Sequence, residues 1–216
     1  MDARDRLIDE IDAEMQATAR WTGRRHLAPR VRAALLAVRR EAFVPAASRA
    51  EAYENHPLRI GHGQTISQPF IVALMTDLLD PDPDHIVLEV GTGSGYQAAV
   101  LAKLVRHVYS VECIPALSTQ AATALADEGI DNVKLKVGDG AVGWPEHAPY
   151  DGIIVTAAGP RIPPALVAQL RPGGRMVIPV GYQHEPQTLM LVEKDSEGAV
   201  HTREVLSVSF VKLTGG

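Results

Sequence analysis

Five short apolar runs, separated by helix-like segments, constrain this chain more than any other feature. From residue 86 it reads IVLEV (86–90), HVYSVE (107–112), VKLKV (133–137), GIIVT (152–156) and RMVIPV (175–180). Runs of this length and character suit strands buried on both faces, as in parallel sheets. Between them, SGYQAAVLAKLV (94–105), PALSTQAATALADEG (115–129) and PPALVAQL (163–170) predict helices, the second closed by Gly129. Strands alternating with helices predict an α/β fold with a mostly parallel, doubly wound sheet. The last stretch differs. TLMLVEK (188–194), the turn DSEG and VHTREVLSVSFVKL (200–213) predict a C-terminal antiparallel hairpin on that sheet's edge.

Upstream the pattern is helical. Leu7, Ile8, Ile11 and Met15 recur at helical spacing, and PRVRAALLAVRRE (29–41) predicts a second helix that starts at Pro29 and ends before FVP (43–45). Residues 55–69 read as loop, and 69–79 as a third helix, with Ser67 placed to cap its orphan N–H groups and Pro69 in its first turn. Residues 1–80 thus form an N-terminal helical region and 81–216 a core, together one integrated domain of ordinary size.

Composition excludes several functions. The net charge of −5 argues against general nucleic-acid affinity. One local exception is the acid-free segment 20–40, with Arg20, Arg24, Arg25, Arg30, Arg32, Arg39 and Arg40, which reads as solvated helix faces in preference to a binding patch. The single cysteine, Cys113, excludes an internal disulfide and a cysteine-cluster zinc site. Eight scattered histidines make no metal motif, so no metal is expected. No apolar run approaches the ~18 residues of a membrane span. The acidic N-terminus lacks the order of a secretion signal, so a cytoplasmic monomer is expected, with neither membrane nor nucleic acid as partner.

VLEVGTGSGYQ (87–97) joins the first core strand to its helix. Gly91, Gly93 and Gly95 permit a tight turn and close approach of a ligand, and the helix start beyond offers free N–H groups. A dinucleotide fingerprint requires GxGxxG, but Tyr96 holds the third glycine's place. The spacing from Glu89, ExGxGxG, resembles motif I of class I S-adenosylmethionine-dependent methyltransferases, which implies a Rossmann-like fold and a loop that faces the amino-acid part of the cofactor. Ser94 belongs to the same loop. Glu112 ends the second core strand, 21 residues beyond Gly91, where a carboxylate accepts from two ribose hydroxyls; Cys113 lies beside it. Asp139, between Gly138 and Gly140, either accepts from an adenine amine or serves as a turn residue. Thr156 ends the fourth strand and completes the candidate cofactor set.

The acceptor is constrained by what is missing. TAAGP (156–160) stands where amine methyltransferases carry an Asn/Asp-Pro-Pro-aromatic stretch, and Cys113 is misplaced for attack on cytosine C5. A carboxylate acceptor is already ionised at pH 7 and needs no base, only neutral donors to orient it. Thr65 and Ser67 in HGQTISQP (62–69) are such donors.

Taken with FVP (43–45), AYEN (52–55), PLRIGHGQTISQP (57–69), VLEVGTGSGYQAAVLA (87–102), VYSVE (108–112), YDGIIVTAA (150–158), LRPGGRMVIPVG (170–181) and FVKLTG (210–215), the chain resembles the protein-L-isoaspartate O-methyltransferases from about residue 30 onward. GQTISQP is the most specific of these stretches. The resemblance implies S-adenosyl-L-methionine as cofactor, with S-adenosyl-L-homocysteine as product, and isoaspartyl-containing proteins and peptides as substrates. Their α-carboxylate is methylated and the ester closes to a succinimide. It also implies that Ser67 is the active-site serine, that Gln64, Thr65 and Ile66 share its loop around cofactor and substrate, and that Thr214 reaches the site. Departures stand at Arg59, Gly159 and Lys212, where the family often shows PLPIG, TAAPP and FVPL. Competing readings are a class I methyltransferase for a small-molecule carboxylate or RNA, a non-catalytic nucleoside-binding module and, last, a nicotinamide-dependent oxidoreductase.

Overall fold

The computed structural model describes residues 2–183 and 185–213. A seven-stranded sheet has the order β5-β4-β3-β6-β7-β8-β9, from β3 (Ile86–Val90), β4 (His107–Glu112), β5 (Val133–Val137), β6 (Tyr150–Val155), β7 (Leu170–Val180), β8 (Gln187–Lys194) and β9 (Val200–Val208). β5, β4, β3, β6 and β7 run parallel, and β8 and β9 complete an antiparallel meander. The expected parallel core and terminal hairpin are both present.

Side chains of the central strands alternate between two apolar layers. Val87, Val108, Ile154 and Val177 face one layer together with Leu7, Ile11 and Met15 of α1 (Ala3–Thr22) and Phe70 and Leu74 of α3 (Pro69–Leu79). Leu88, Val90, Tyr109, Val111, Ile153 and Met176 face the other, beside Leu166 of α6 (Pro164–Gln169) and Trp144. Burying one such side chain contributes roughly 1.5–3 kcal/mol. A one-residue slip would exchange the two layers along a whole strand, so the register is strongly fixed.

Several elements differ from the sequence reading, β7 among them, since it already begins at Leu170. Residues 55–69 contain a small antiparallel ribbon, β1 (Leu58–Gly61) with β2 (Gln64–Ile66), turning through Gly61, His62 and Gly63 at positive φ. Strands this short carry too few residues for periodicity to register. The second helix, α2 (Pro29–Ala37), stops short of residue 41 because Val38 and Arg39 are extended, and a 3-10 turn (Arg40–Phe43) follows. The glycine loop uses Ser94 and Gly95, so α4 spans only Tyr96–Ala102.

Ser67 does not cap α3. The N-cap is Gln68, without a side-chain cap. The first-turn amide of Phe70 instead donates to Asn55 Oδ1 at 3.0 Å, and Asn55 Nδ2 donates to Glu14 Oε2 at 2.9 Å. A cap supplied from 15 residues away leaves the Ser67 side chain available for other work. Asn55→Ala is expected to lower unfolding stability by about 1 kcal/mol, the usual value of a helix cap; the urea midpoint at unchanged m-value measures it.

Candidate active site

The parallel sheet has its switch point at β3, where the strand order reverses, and ligands of open α/β sheets bind beyond the carboxyl ends of such strands. Gly91 follows β3 with φ +94°, and its amide donates to the Val111 carbonyl at 2.9 Å. Thr156, at the end of β6, donates from Oγ1 to the Gly91 carbonyl at 2.6 Å. A Cβ on Gly91 would lie 2.3 Å from that oxygen, so only glycine fits. Gly93, in the same loop, gives its amide to Glu112 Oε2 at 2.8 Å, and Ile114 gives its amide to Oε1 at 3.0 Å. Glu112 is therefore fixed from both sides; Cys113 Sγ adds a weak donor to Oε1 at 3.5 Å, and Oε2 keeps a further acceptor direction.

A narrow cleft opens on this arrangement. Gln64, Thr65, Gly91, Gly93, Glu112, Cys113, Gly140 and Thr156, all candidates from the sequence, line it together. Ile114, Leu117 and Ala157 add apolar wall, and the segment Val211–Leu213 covers one side. That segment is anchored by Ala158, whose amide donates to Val211 at 2.8 Å and whose carbonyl accepts from Leu213 at 2.7 Å. A second recess at the glycine loop brings in Ile66, Ser67, Ser94 and Tyr96. A larger cleft of about 740 Å³ lies alongside, lined by Glu14, Pro57, Thr65, Ser67, Gln68, Phe70 and the segment 206–211. Thr65 and Thr156 border both clefts. Among the described residues the Ser67 hydroxyl has no hydrogen-bond partner.

Four expected residues lie outside these linings. Glu89 sits fully buried behind the loop, where the Ser110 hydroxyl donates to its Oε2 and itself meets Thr92 Oγ1 at 2.5 Å. Its placement is that of a support under the loop. Gly95 lets α4 approach α5 (Pro115–Asp127), since a Cβ there would lie 3.2 Å from the Ala121 methyl. Gly138 continues from β5 with its amide on the Glu112 carbonyl. Asp139 folds Oδ1 back onto the Ala141 amide at 2.8 Å, the turn role, with its second oxygen left for another donor. Thr214 lies outside the described residues.

The arginine-rich segment is largely consumed by structure. Arg24 pairs with Asp77, Arg30 with Asp80, Arg32 with Asp12 and Arg39 with Glu128, while Arg20 lies over the Trp21 ring. Arg40 is the correction: it was expected on a solvated helix face and is fully buried, because the chain breaks from helix at Val38 and turns it inward. Ile114 and Leu117 also gain places around the site that no motif had marked, and Asn55 and Tyr96, which fell within quoted stretches without a role, gain one.

An adenosyl cofactor fits these residues: a carboxylate with spare acceptor capacity, a glycine loop and an apolar wall stand on one strand edge. Fold and site together define a class I S-adenosylmethionine-dependent methyltransferase. The profile of the protein-L-isoaspartate(D-aspartate) O-methyltransferase family matches residues 18–216, and the chain belongs to that family. Relatives include protein-L-isoaspartate O-methyltransferase 2 of Syntrophobacter fumaroxidans, 58% identical over 99% of this chain and 87% of its own. The protein of the same name from Polaromonas is 57% identical over 97% and 99%. A solved protein-L-isoaspartate O-methyltransferase superposes with TM-score 0.85 at 28% identity, covering 98% of this chain and 66% of that one. A Plasmodium falciparum structure in complex with S-adenosyl-L-homocysteine shares the fold, with TM-score 0.78 and 23% identity over 96% and 98%.

Burial, opposed by the Ser110 hydroxyl and helped by the Glu112 charge, raises the Glu89 carboxyl to about 8. A raised acid holds its proton in the folded state after the unfolded chain has lost it. Stability therefore falls as pH climbs from the ordinary glutamate range toward about 8. Glu89→Gln is expected to flatten that decline, read as thermal midpoint against pH for variant and parent.

Proposed function

We propose that this chain methylates the α-carboxylate of L-isoaspartyl residues in damaged proteins and peptides, with S-adenosyl-L-methionine as donor. The bound cofactor supplies an electrophilic methyl group and leaves as S-adenosyl-L-homocysteine. Everything else falls to the protein. Glu112 takes the ribose hydroxyls, Gly91, Gly93 and Ser94 the amino-acid end, and Asp139 with Gly138 and Gly140 the adenine edge. Gln64, Thr65 and Ile66 close over them, with Cys113 and Thr156 at the margins.

The observation that carries this reading is the junction of the two clefts. Thr65 and Thr156 border both, and Ser67, whose hydroxyl has no partner among the described residues, lines the larger cleft and the recess at the glycine loop, in the segment most specific to the family. A carboxylate arrives ionised at neutral pH, so no base is required. It requires orientation toward the methyl and exclusion of water. Neutral hydroxyls orient it without the tight pairing that would occupy its nucleophilic lone pairs. The resulting ester is a better acyl donor than the carboxylate, which favours ring closure by the neighbouring backbone amide and hence repair through a succinimide.

Of the arginines that kept an RNA acceptor open, four are held by carboxylates and a fifth is buried.

Two synthetic peptides that differ only in L-isoaspartate or L-aspartate at one position test the function, with labelled S-adenosylmethionine and release of base-labile methyl as readout. Labelling of the isoaspartyl peptide alone is expected; equal labelling of both, or of neither by a cofactor-binding protein, would sink the reading. Ser67→Ala is expected to lower kcat by about 10–100-fold and to leave the Kd for S-adenosylhomocysteine within about threefold.

A further inference from the structure

Arg40 is 0% exposed and is held by one backbone carbonyl and by the Tyr96 side chain, with no acid against it among the described residues. Its Nη2 donates to the Ser67 carbonyl at 2.9 Å, and its Cζ lies 4.9 Å from the centroid of the Tyr96 ring. Nε and Nη1 have no hydrogen-bond partner, and among the described residues no carboxylate pairs with it. The adjacent Glu41 is engaged with Arg4 and Tyr53. Burial pushes the guanidinium down to about 10, so it stays a cation at neutral pH. An unpaired buried charge destabilises a fold, and well-packed apolar replacements of buried charges are often neutral or stabilising. The residue is thus costly where it stands, directly behind the candidate carboxylate site.

Geometry supplies the reason. In a trans peptide the C=O of one residue and the N–H of the next point in opposite directions. Arg40 draws the Ser67 carbonyl inward, which turns the Gln68 amide outward. Gln68 lines the large cleft, and its amide has no partner among the described residues. The Ser67 hydroxyl and the Gln68 amide become two neutral donors beside one another. Tyr96, the other neighbour of Arg40, directly follows the glycine loop and shares a recess with Ser67, Gly91 and Ser94.

We propose that Arg40 is the positioning residue of the reaction: it locks the Ser67–Gln68 peptide with its donors toward the substrate, holds that peptide in register with the glycine loop, and provides from behind it the positive charge that balances a bound carboxylate. Because the cation acts through the peptide and does not touch the carboxylate, it favours binding while leaving the nucleophilic oxygen unpaired. The proposal rests on the carboxyl-methylation reading above.

Arg40→Met and Arg40→Lys test it, with kcat and KM on the isoaspartyl peptide, the Kd of S-adenosylhomocysteine by calorimetry and the thermal midpoint. For Arg40→Met, kcat/KM is expected to fall about 30-fold or more, the Kd to stay within about threefold and the midpoint to hold or rise. Arg40→Lys restores charge without the guanidinium fork and is expected to recover part of the lost kcat/KM. A kcat/KM for Arg40→Met within about threefold of the parent would overturn the proposal, as would a parallel loss of S-adenosylhomocysteine affinity and thermal midpoint, the mark of a scaffold residue. Should Arg40→Met fail to fold, Arg40→Lys decides: reduced kcat/KM at unchanged Kd supports the proposal, and unchanged kcat/KM refutes it. Parent protein that fails to label the isoaspartyl peptide would remove the functional reading itself and this proposal with it.

Discussion

The structure depends on one constraint: both faces of its parallel sheet are buried. Val87, Val108 and Ile154 lie under one helical layer, and Leu88, Tyr109 and Ile153 under the other. No polar ligand can approach such a sheet from above or below. Backbone groups and side chains become accessible only where strands end, and at β3 the order reverses, so the helices part and a crevice forms. The hydrogen bonds from Thr156 to Gly91 and from Gly93 to Glu112 are consequences of that edge, since they join the ends of β3, β4 and β6.

The site is assembled from two sources with different rigidity. Its cofactor half grows out of the sheet and inherits the register of paired strands. The half proposed to hold the acceptor comes from the β1–β2 ribbon and the start of α3, which have no place in the seven-stranded sheet. A two-stranded ribbon is marginal alone. Here Leu58, Ile60 and Ile66 bury beneath it, Asn55 holds the amide of Phe70, and Arg40 holds the carbonyl of Ser67. The acceptor loop is thus secured through its backbone, which leaves the side chains of Thr65 and Ser67 free to face a ligand.

Two buried ionisable groups flank this arrangement, one held neutral and the other charged. Glu89 lies under the glycine loop with its proton favoured by burial, and Arg40 lies behind the serine loop with its charge retained. The glycine loop therefore rests on a group that stays neutral over the lower physiological range, while the acceptor loop is backed by a cation. That division matches a ligand pair in which the carboxylate is the partner that needs a compensating charge.

The sequence by itself determined the α/β architecture, the five parallel strands, the terminal hairpin, the glycine loop and Glu112, because each is written in local periodicity or in the spacing of a strand end and a turn. It marked GQTISQP as the decisive segment for the same reason, since every residue of the motif is contiguous. Only the tertiary structure decided what each polar side chain is for. Ser67 looked like a cap, and Asn55, distant in sequence, caps instead. Arg40 looked like one more solvated arginine, yet its neighbours Arg24 and Arg39 stay partly exposed and pair with acids, while a break after α2 drives Arg40 inside. Glu89 looked like a cofactor ligand and lies beneath the loop. In each case the outcome depends on a partner from another part of the chain, and burial and hydrogen-bond satisfaction are fixed only when those parts meet.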